Sequence, residues 1–204
     1  MKSTPGRISA TDTSPSADEQ LSQLIDDFFG LAVYWHTWRL MLLPDYKYRP
    51  RLESVAGDLL RIVTNSLFES VVVGLARLTD KESTCGRPNL TVKRVLREHR
   101  IGSSDVHAQK AMAAADQLHA LGDHLASTHR HPYIAHNDLR TAEGRFRKQS
   151  RLSIPLGTID AAFQQFIVVL TELERLRLPA RRTFYAAAEG LARASLDAML
   201  AGMK

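Results

Sequence analysis

Three histidines, an arginine and a proline break crowd into one short stretch, Ser127-Thr-His-Arg-His-Pro-Tyr-Ile-Ala-His-Asn-Asp138. Imidazole both gives and takes a proton near neutral pH. A guanidinium is planar and permanently charged, well shaped to hold a phosphate or a developing phosphorane. An arginine and a histidine sharing one cleft therefore point to phosphodiester chemistry. Arg130 and His136 are the candidate pair. On an unbroken helix their spacing sets them about 120° apart around the axis. Pro132 argues against an unbroken helix, because its ring clashes with the preceding turn. A helix ending near Arg130, then a turn holding Ile134 and Ala135, projects His136 beside Asn137 and Asp138. Such a kink can bring the arginine and the histidine together, within a subunit or across a dimer.

Other residues compete for attention. Arg140, Arg145, Arg147, Lys148 and Arg151 form a basic loop directly after the motif. It is either a solvated connection or a contact for an RNA backbone. His129 and His131 with Asp138 have metal-ligand chemistry, but no second ligand cluster with regular spacing accompanies them, and no metal or cofactor is expected. His119 and His124 read as solvent-facing helix residues, and the Trp35/Trp38 pair as core or dimer interface. The chain contains no glycine-rich phosphate loop and no nucleophile elbow.

The elements that must position these residues are helical. Ser16-Ala-Asp-Glu19 has the form of a capping box. Behind it, Leu21, Leu24, Ile25, Phe28, Ala32, Trp35, Trp38 and Leu42 recur at helical steps up to Pro44. Pro50 suits the start of a second helix, whose apolar face runs from Leu52 to Leu75 and which ends near Thr79. Its Val71-Val-Val-Gly-Leu75 portion is apolar almost all round and calls for burial on more than one side. A polar loop, Asp80 to Pro88, precedes a short basic helix from Leu90 to His99, with Asn89 as its cap and Gly102 as its stop. Ser104 and Asp105 open an Ala-rich helix to about Ser127, with Met112, Ala115, Leu118, Leu121 and Leu125 inward. Ile159 to Leu173 and Phe184 to Met203 mark two more amphipathic helices, the second with Phe184, Ala188, Leu191, Leu196, Met199 and Met203 inward. No stretch alternates long enough to predict a strand. The expectation is all-α, an antiparallel helical bundle.

Composition bounds the rest. The 204 residues are 44% hydrophobic, enough for a real core. The net charge of +5 favours polyanionic partners without proving nucleic-acid binding. The single cysteine, Cys85, excludes a disulfide framework and fits a reducing cytoplasm. Residues 1–16 are Ser/Thr/Pro-rich with no signal-peptide apolar run, and read as a disordered leader before one domain at 17–204. The continuous apolar runs are shorter than a membrane span, so no membrane partner is expected.

One family resemblance draws these features together. An arginine, a polar residue after it and a histidine a few positions on form the signature of the HEPN superfamily of helical ribonucleases; Arg130, His131 and His136 stand at those positions. Ile134-Ala-His-Asn-Asp138 resembles the form found in the AbiU-type abortive-infection branch. Leu75-Ala-Arg-Leu-Thr-Asp80, followed by Asn89-Leu-Thr-Val92, is similar to that branch's aliphatic helix end and restart. Pro132 and Tyr133 depart from its polar or basic residues, which bears on groove shape and substrate register.

The resemblance implies an all-α fold, a symmetric homodimer and a composite cleft where two motifs face each other and cut RNA without a metal. In that cleft His136 acts as general base or acid and Arg130 stabilises the phosphorane. His131 or Asn137 orients the phosphate or His136, with Asp80 and Asp138 in support. The function expected is a metal-independent endoribonuclease of toxin or phage-defence type, acting on tRNA or another cellular RNA, with an antitoxin or nucleotidyltransferase as further partner. The alternatives are an inactive HEPN-like dimer that binds RNA, nucleotide or a partner protein, and a helical antitoxin or scaffold.

Overall fold

The computed structural model describes residues 15–42, 49–101, 104–127, 156–176, 178 and 184–202. Among them are six α-helices, α1 (Ala17–Leu42), α2 (Arg49–Leu78), α3 (Val92–Glu98), α4 (Val106–Leu125), α5 (Leu156–Arg175) and α6 (Phe184–Gly202). A two-stranded antiparallel ribbon, β1 (Ser83–Thr84) and β2 (Arg87–Pro88), joins α2 to α3. The all-α expectation holds, with this ribbon as the one correction. It is too short to show a two-residue alternation, and its turn residues Cys85 and Gly86 both take positive φ, 50° and 77°. That is the pattern of a tight hairpin.

The capping box forms as the sequence predicts. Ser16 Oγ accepts from the Glu19 amide at 3.2 Å, and Glu19 Oε2 accepts from the Ser16 amide at 2.7 Å. The backbone and hydroxyl donors of Ser16 hold the Glu19 carboxyl below its ordinary range. From this start α1 runs through the centre of the molecule, packing on α2 and α6 and crossing α5. Phe28 stacks on Phe166 of α5 at 3.9 Å between ring centres and 7° between planes. Trp35 is wholly buried, and its Nε1 donates to Asp160 Oδ1 of α5 at 2.8 Å. Arg39 adds a 3.1 Å ion pair to the same oxygen, so the buried indole keeps a hydrogen-bond partner.

Burial bears out one reading of the apolar surface and corrects another. Val71, Val72 and Leu75 are buried in this chain's own core, and Trp35 and Trp38 take the core place of the two read for them. Val73 and Gly74, on the other side of α2, are only partly covered. In α4 the inward face consists of Ala108, Ala111, Ala114, Ala115, Leu118, Gly122 and Leu125, whereas Met112 is exposed. In α6 the buried stripe is Ala188, Ala192, Leu196 and Leu200, leaving Leu191 and Met199 outside. In both helices the small alanines permit close approach to the neighbouring helix, and that choice overrode side-chain size. Gly57–Leu78 and α5 are long and apolar enough to cross a membrane by length and composition. The fold uses α5 differently, burying Ile159, Phe163, Phe166, Val169, Leu170 and Leu173.

The helix ends also differ from expectation. Thr91, not Asn89, caps α3, its hydroxyl accepting from the Arg94 amide at 3.4 Å. Asn89 instead closes the ribbon, donating through Nδ2 to the Lys81 carbonyl and to Thr84 Oγ1, each at 2.7 Å. The end of α3 lies before Gly102, which is outside the described residues. Arg100 takes φ 49°, while its amide and that of Ile101 donate to Arg97 and Leu96. These are the paired bonds of a Schellman turn, with arginine in the place usually taken by glycine.

Candidate functional site

The helix that leads into the Ser127–Asp138 stretch is α4, and its last turns are fixed against the end of α2. Gly122 of α4 faces Thr79 so closely that a Cβ there would fall 1.7 Å from Thr79 Oγ1. Thr79 is held in turn by its own helix, its hydroxyl donating to the Leu75 carbonyl at 3.0 Å. One turn earlier, His119 Nδ1 lies 2.5 Å from the Thr79 carbonyl. A carbonyl only accepts, so Nδ1 carries the proton there, and Nε2 faces Asp123 at 3.5 Å. His119 is thus a tie between helices, correcting its reading as a solvent-facing residue. A glycine inside a helical pattern was the available signal for this contact.

At the opposite end of the α4–α5 hairpin, His107 Nδ1 meets Glu172 Oε2 at 2.6 Å, and Arg175 meets Oε1 of the same buried carboxylate at 2.6 Å. Lys93 of α3 pairs with Asp116 of α4 at 2.7 Å. These contacts hold α4 along most of its length. The helical backbone continues through Ala126 and Ser127.

The residues beyond lie outside the described part of the chain. This applies to Arg130, His131, His136, Asn137 and Asp138, and to Arg140, Arg145, Arg147, Lys148 and Arg151. Of the predicted site residues, Asp80 is described. It follows Thr79 at the end of α2, where its Oδ1 accepts from the Lys81 amide at 2.8 Å. Asp80 therefore stands one residue from the anchor of the helix that enters the motif.

Asp80 also lines a groove of about 1070 Å³ between α1, α2 and the ribbon. Arg77, Leu78, Asn89 and Leu90 line it too, so the helix end and the restart singled out in the sequence converge on one surface. Thr79 and Thr91 of the same strings are buried and serve as the α4 anchor and the α3 cap. Opposite them stand Asp26, Asp27 and Tyr34 of α1. These had no signal in the sequence, because the crossing of α1 over α2 is what brings them there.

A second cluster of titratable groups surrounds His36 of α1. Its Nε2 is buried with no hydrogen-bond partner among the described residues, and its ring lies 4.8 Å from that of Tyr185 in α6. Burial, opposed by Glu189 and aided by Arg39, holds the imidazole below its ordinary 6.5. Burial and then Asp160 push the Tyr185 hydroxyl up to about 12. Both side chains therefore remain uncharged at neutral pH. Among the described residues no group of three or more His, Cys, Asp or Glu side chains is placed to hold a metal ion.

The AbiU2 family profile, of the HEPN class, matches residues 14–196. The chain belongs to the HEPN AbiU2 family. That match takes in α1 to α5, most of α6 and the Arg130–His136 string between α4 and α5. No curated protein and no solved structure matches the chain significantly. For this AbiU2-family chain the likeness brings an all-helical fold and the nuclease or abortive-infection type of function that the family carries.

Proposed function

We propose that this AbiU2-family protein is a metal-independent endoribonuclease whose chemistry is carried by Arg130 and His136. The observation that carries the reading is that the family match, over residues 14–196, spans the positions of both residues. The anchoring of α4 supports it, since a helix tied at His119 and Gly122 gives the following segment a rigid point of departure.

His136 takes the proton of a ribose 2′-hydroxyl, whose oxygen attacks the adjacent phosphorus. The 5′-oxygen leaves taking a proton from the imidazolium so formed on His136, and Arg130 neutralises charge on the phosphorane between these steps. The products are a 2′,3′-cyclic phosphate and a 5′-hydroxyl. His131 or Asn137 orients the phosphate, with Asp80 and Asp138 in support. The substrate proposed is tRNA or another cellular RNA, met in a homodimer whose two motifs share one cleft in the cytoplasm. An antitoxin or nucleotidyltransferase is the further partner proposed.

Incubating purified protein with RNA in EDTA, beside His136→Ala, tests the reading. Cleavage by the wild type and none by the variant is expected. RNA binding without cleavage by the wild type would reassign the protein as a binding module.

A further inference from the structure

The groove between α1 and α2 carries a charge opposite to that of the chain. The protein is +5 overall. Yet the groove is lined by Asp26, Asp27, Glu69 and Asp80, with Arg77 as the sole basic residue of the described lining. Asp26 on the α1 wall and Glu69 on the α2 wall are exposed and form no ion pair among the described residues. The apolar part of the lining comes from Leu31, Val73 and Leu90, each half-buried, whereas Leu78 is buried. A polyanion is repelled from such a surface, because nucleic-acid binding rests on cations facing phosphates. At about 1070 Å³ the trough is at the upper end of small-molecule sites. An apolar strip bordered on both sides by like charge fits an amphipathic helix of the opposite charge.

Gly30 leaves space on the α1 wall. It lies inside α1 and lines the groove, and nothing stands within 4 Å of where its Cβ would be. Glycine in a helix interior costs about 1 kcal/mol relative to alanine. Gly57, Gly157 and Gly190 are equally open, so Gly30 marks room in the groove and a place to fill it by substitution.

We propose that this groove docks a lysine- or arginine-bearing amphipathic helix of a partner protein. Its apolar face rests on Leu31, Val73 and Leu90, and its cations meet Asp26 on one side and Glu69 on the other.

Fluorescence anisotropy of a labelled amphipathic helix built of leucine and lysine, titrated with the full chain at low salt, tests this. Saturable micromolar binding is expected, weakening as salt rises. Gly30→Arg, which fills the trough with a cation, and the double variant Asp26→Lys/Glu69→Lys should each weaken it at least about tenfold. Helix content by circular dichroism should be unchanged in both. Asp58→Lys, on α2 outside the groove, should leave binding as it is. A peptide of the same composition in scrambled order should bind at least about tenfold more weakly. Absent saturation, equal binding of the scrambled peptide, insensitivity to the groove variants, or equal loss in Asp58→Lys each overturns the proposal. Displacement of the peptide by single-stranded RNA would assign the groove to nucleic acid and overturn it as well.

Discussion

Gly122 and Thr79 meet with no room for a methyl group between them: a Cβ on Gly122 would fall 1.7 Å from the threonine hydroxyl. Thr79 cannot yield easily, because its hydroxyl is bonded to Leu75 and Ala76 of the helix behind it. Helix α4 therefore takes one register against α2. Through this contact the last turns of α4 are fixed against the end of α2.

Gly122→Ala should accordingly destabilise the fold although alanine is the better helix former. Overpacking of this kind costs roughly 1–3 kcal/mol, outweighing the ~1 kcal/mol gained in helix propensity. Thermal denaturation by circular dichroism measures the balance. Thr79→Gly in the same chain should recover part of the loss, and an unchanged midpoint for Gly122→Ala would show that the two helices are not held at this contact.

Acid should loosen the docking of α6 on α1 through His36. Burial lowers the folded-state pKa of this imidazole below its ordinary 6.5. The unfolded chain therefore binds the proton more readily, and stability rises with pH across that interval. The contribution is complete above 6.5 and is lost as pH falls below it toward the folded value. Urea midpoints measured from about pH 7.5 to about pH 5 should fall less steeply in His36→Phe, which retains a ring against Tyr185. Equal slopes would assign the acid sensitivity to other histidines.

Arg130→Ala and His136→Ala should each remove RNA cleavage while leaving helix content intact. The loss should exceed the roughly 10²-fold of a single general acid–base group, because two motifs are proposed to share one cleft. Activity should persist in EDTA and leave 2′,3′-cyclic phosphate ends. Strict dependence on added Mg²⁺ or Mn²⁺ would refute the mechanism, and unfolding of either variant would assign that residue to structure.

Neutralising Arg145, Arg147, Lys148 and Arg151 together should weaken RNA binding and flatten its dependence on salt. Cleavage of bound RNA should change less. A salt slope equal to that of the wild type would return the 140–151 loop to a solvated connection.

Much of this protein was decided by local sequence. Ser16 and Glu19 define the start of α1 because a hydroxyl and a carboxylate three residues apart reach each other's amides. The recurrence of apolar residues at helical steps marked α1, α2, α4, α5 and α6, since only a helix gathers such spacing onto one face, while cap and stop residues marked α3. The Arg130/His136 string and its upstream companions carried the family likeness without any coordinates. Tertiary packing decided what periodicity cannot rank. Alanines, and not Met112 or Leu191, turn inward where two helices approach closely. His119 looks like any polar helix residue until α2 presents the Thr79 carbonyl to it. The acidic groove likewise exists only because α1 and α2 cross, placing Asp26 and Glu69, distant in sequence, on facing walls. Side-chain type and spacing act within a helix, whereas the meeting of two helices depends on which faces the whole core leaves free.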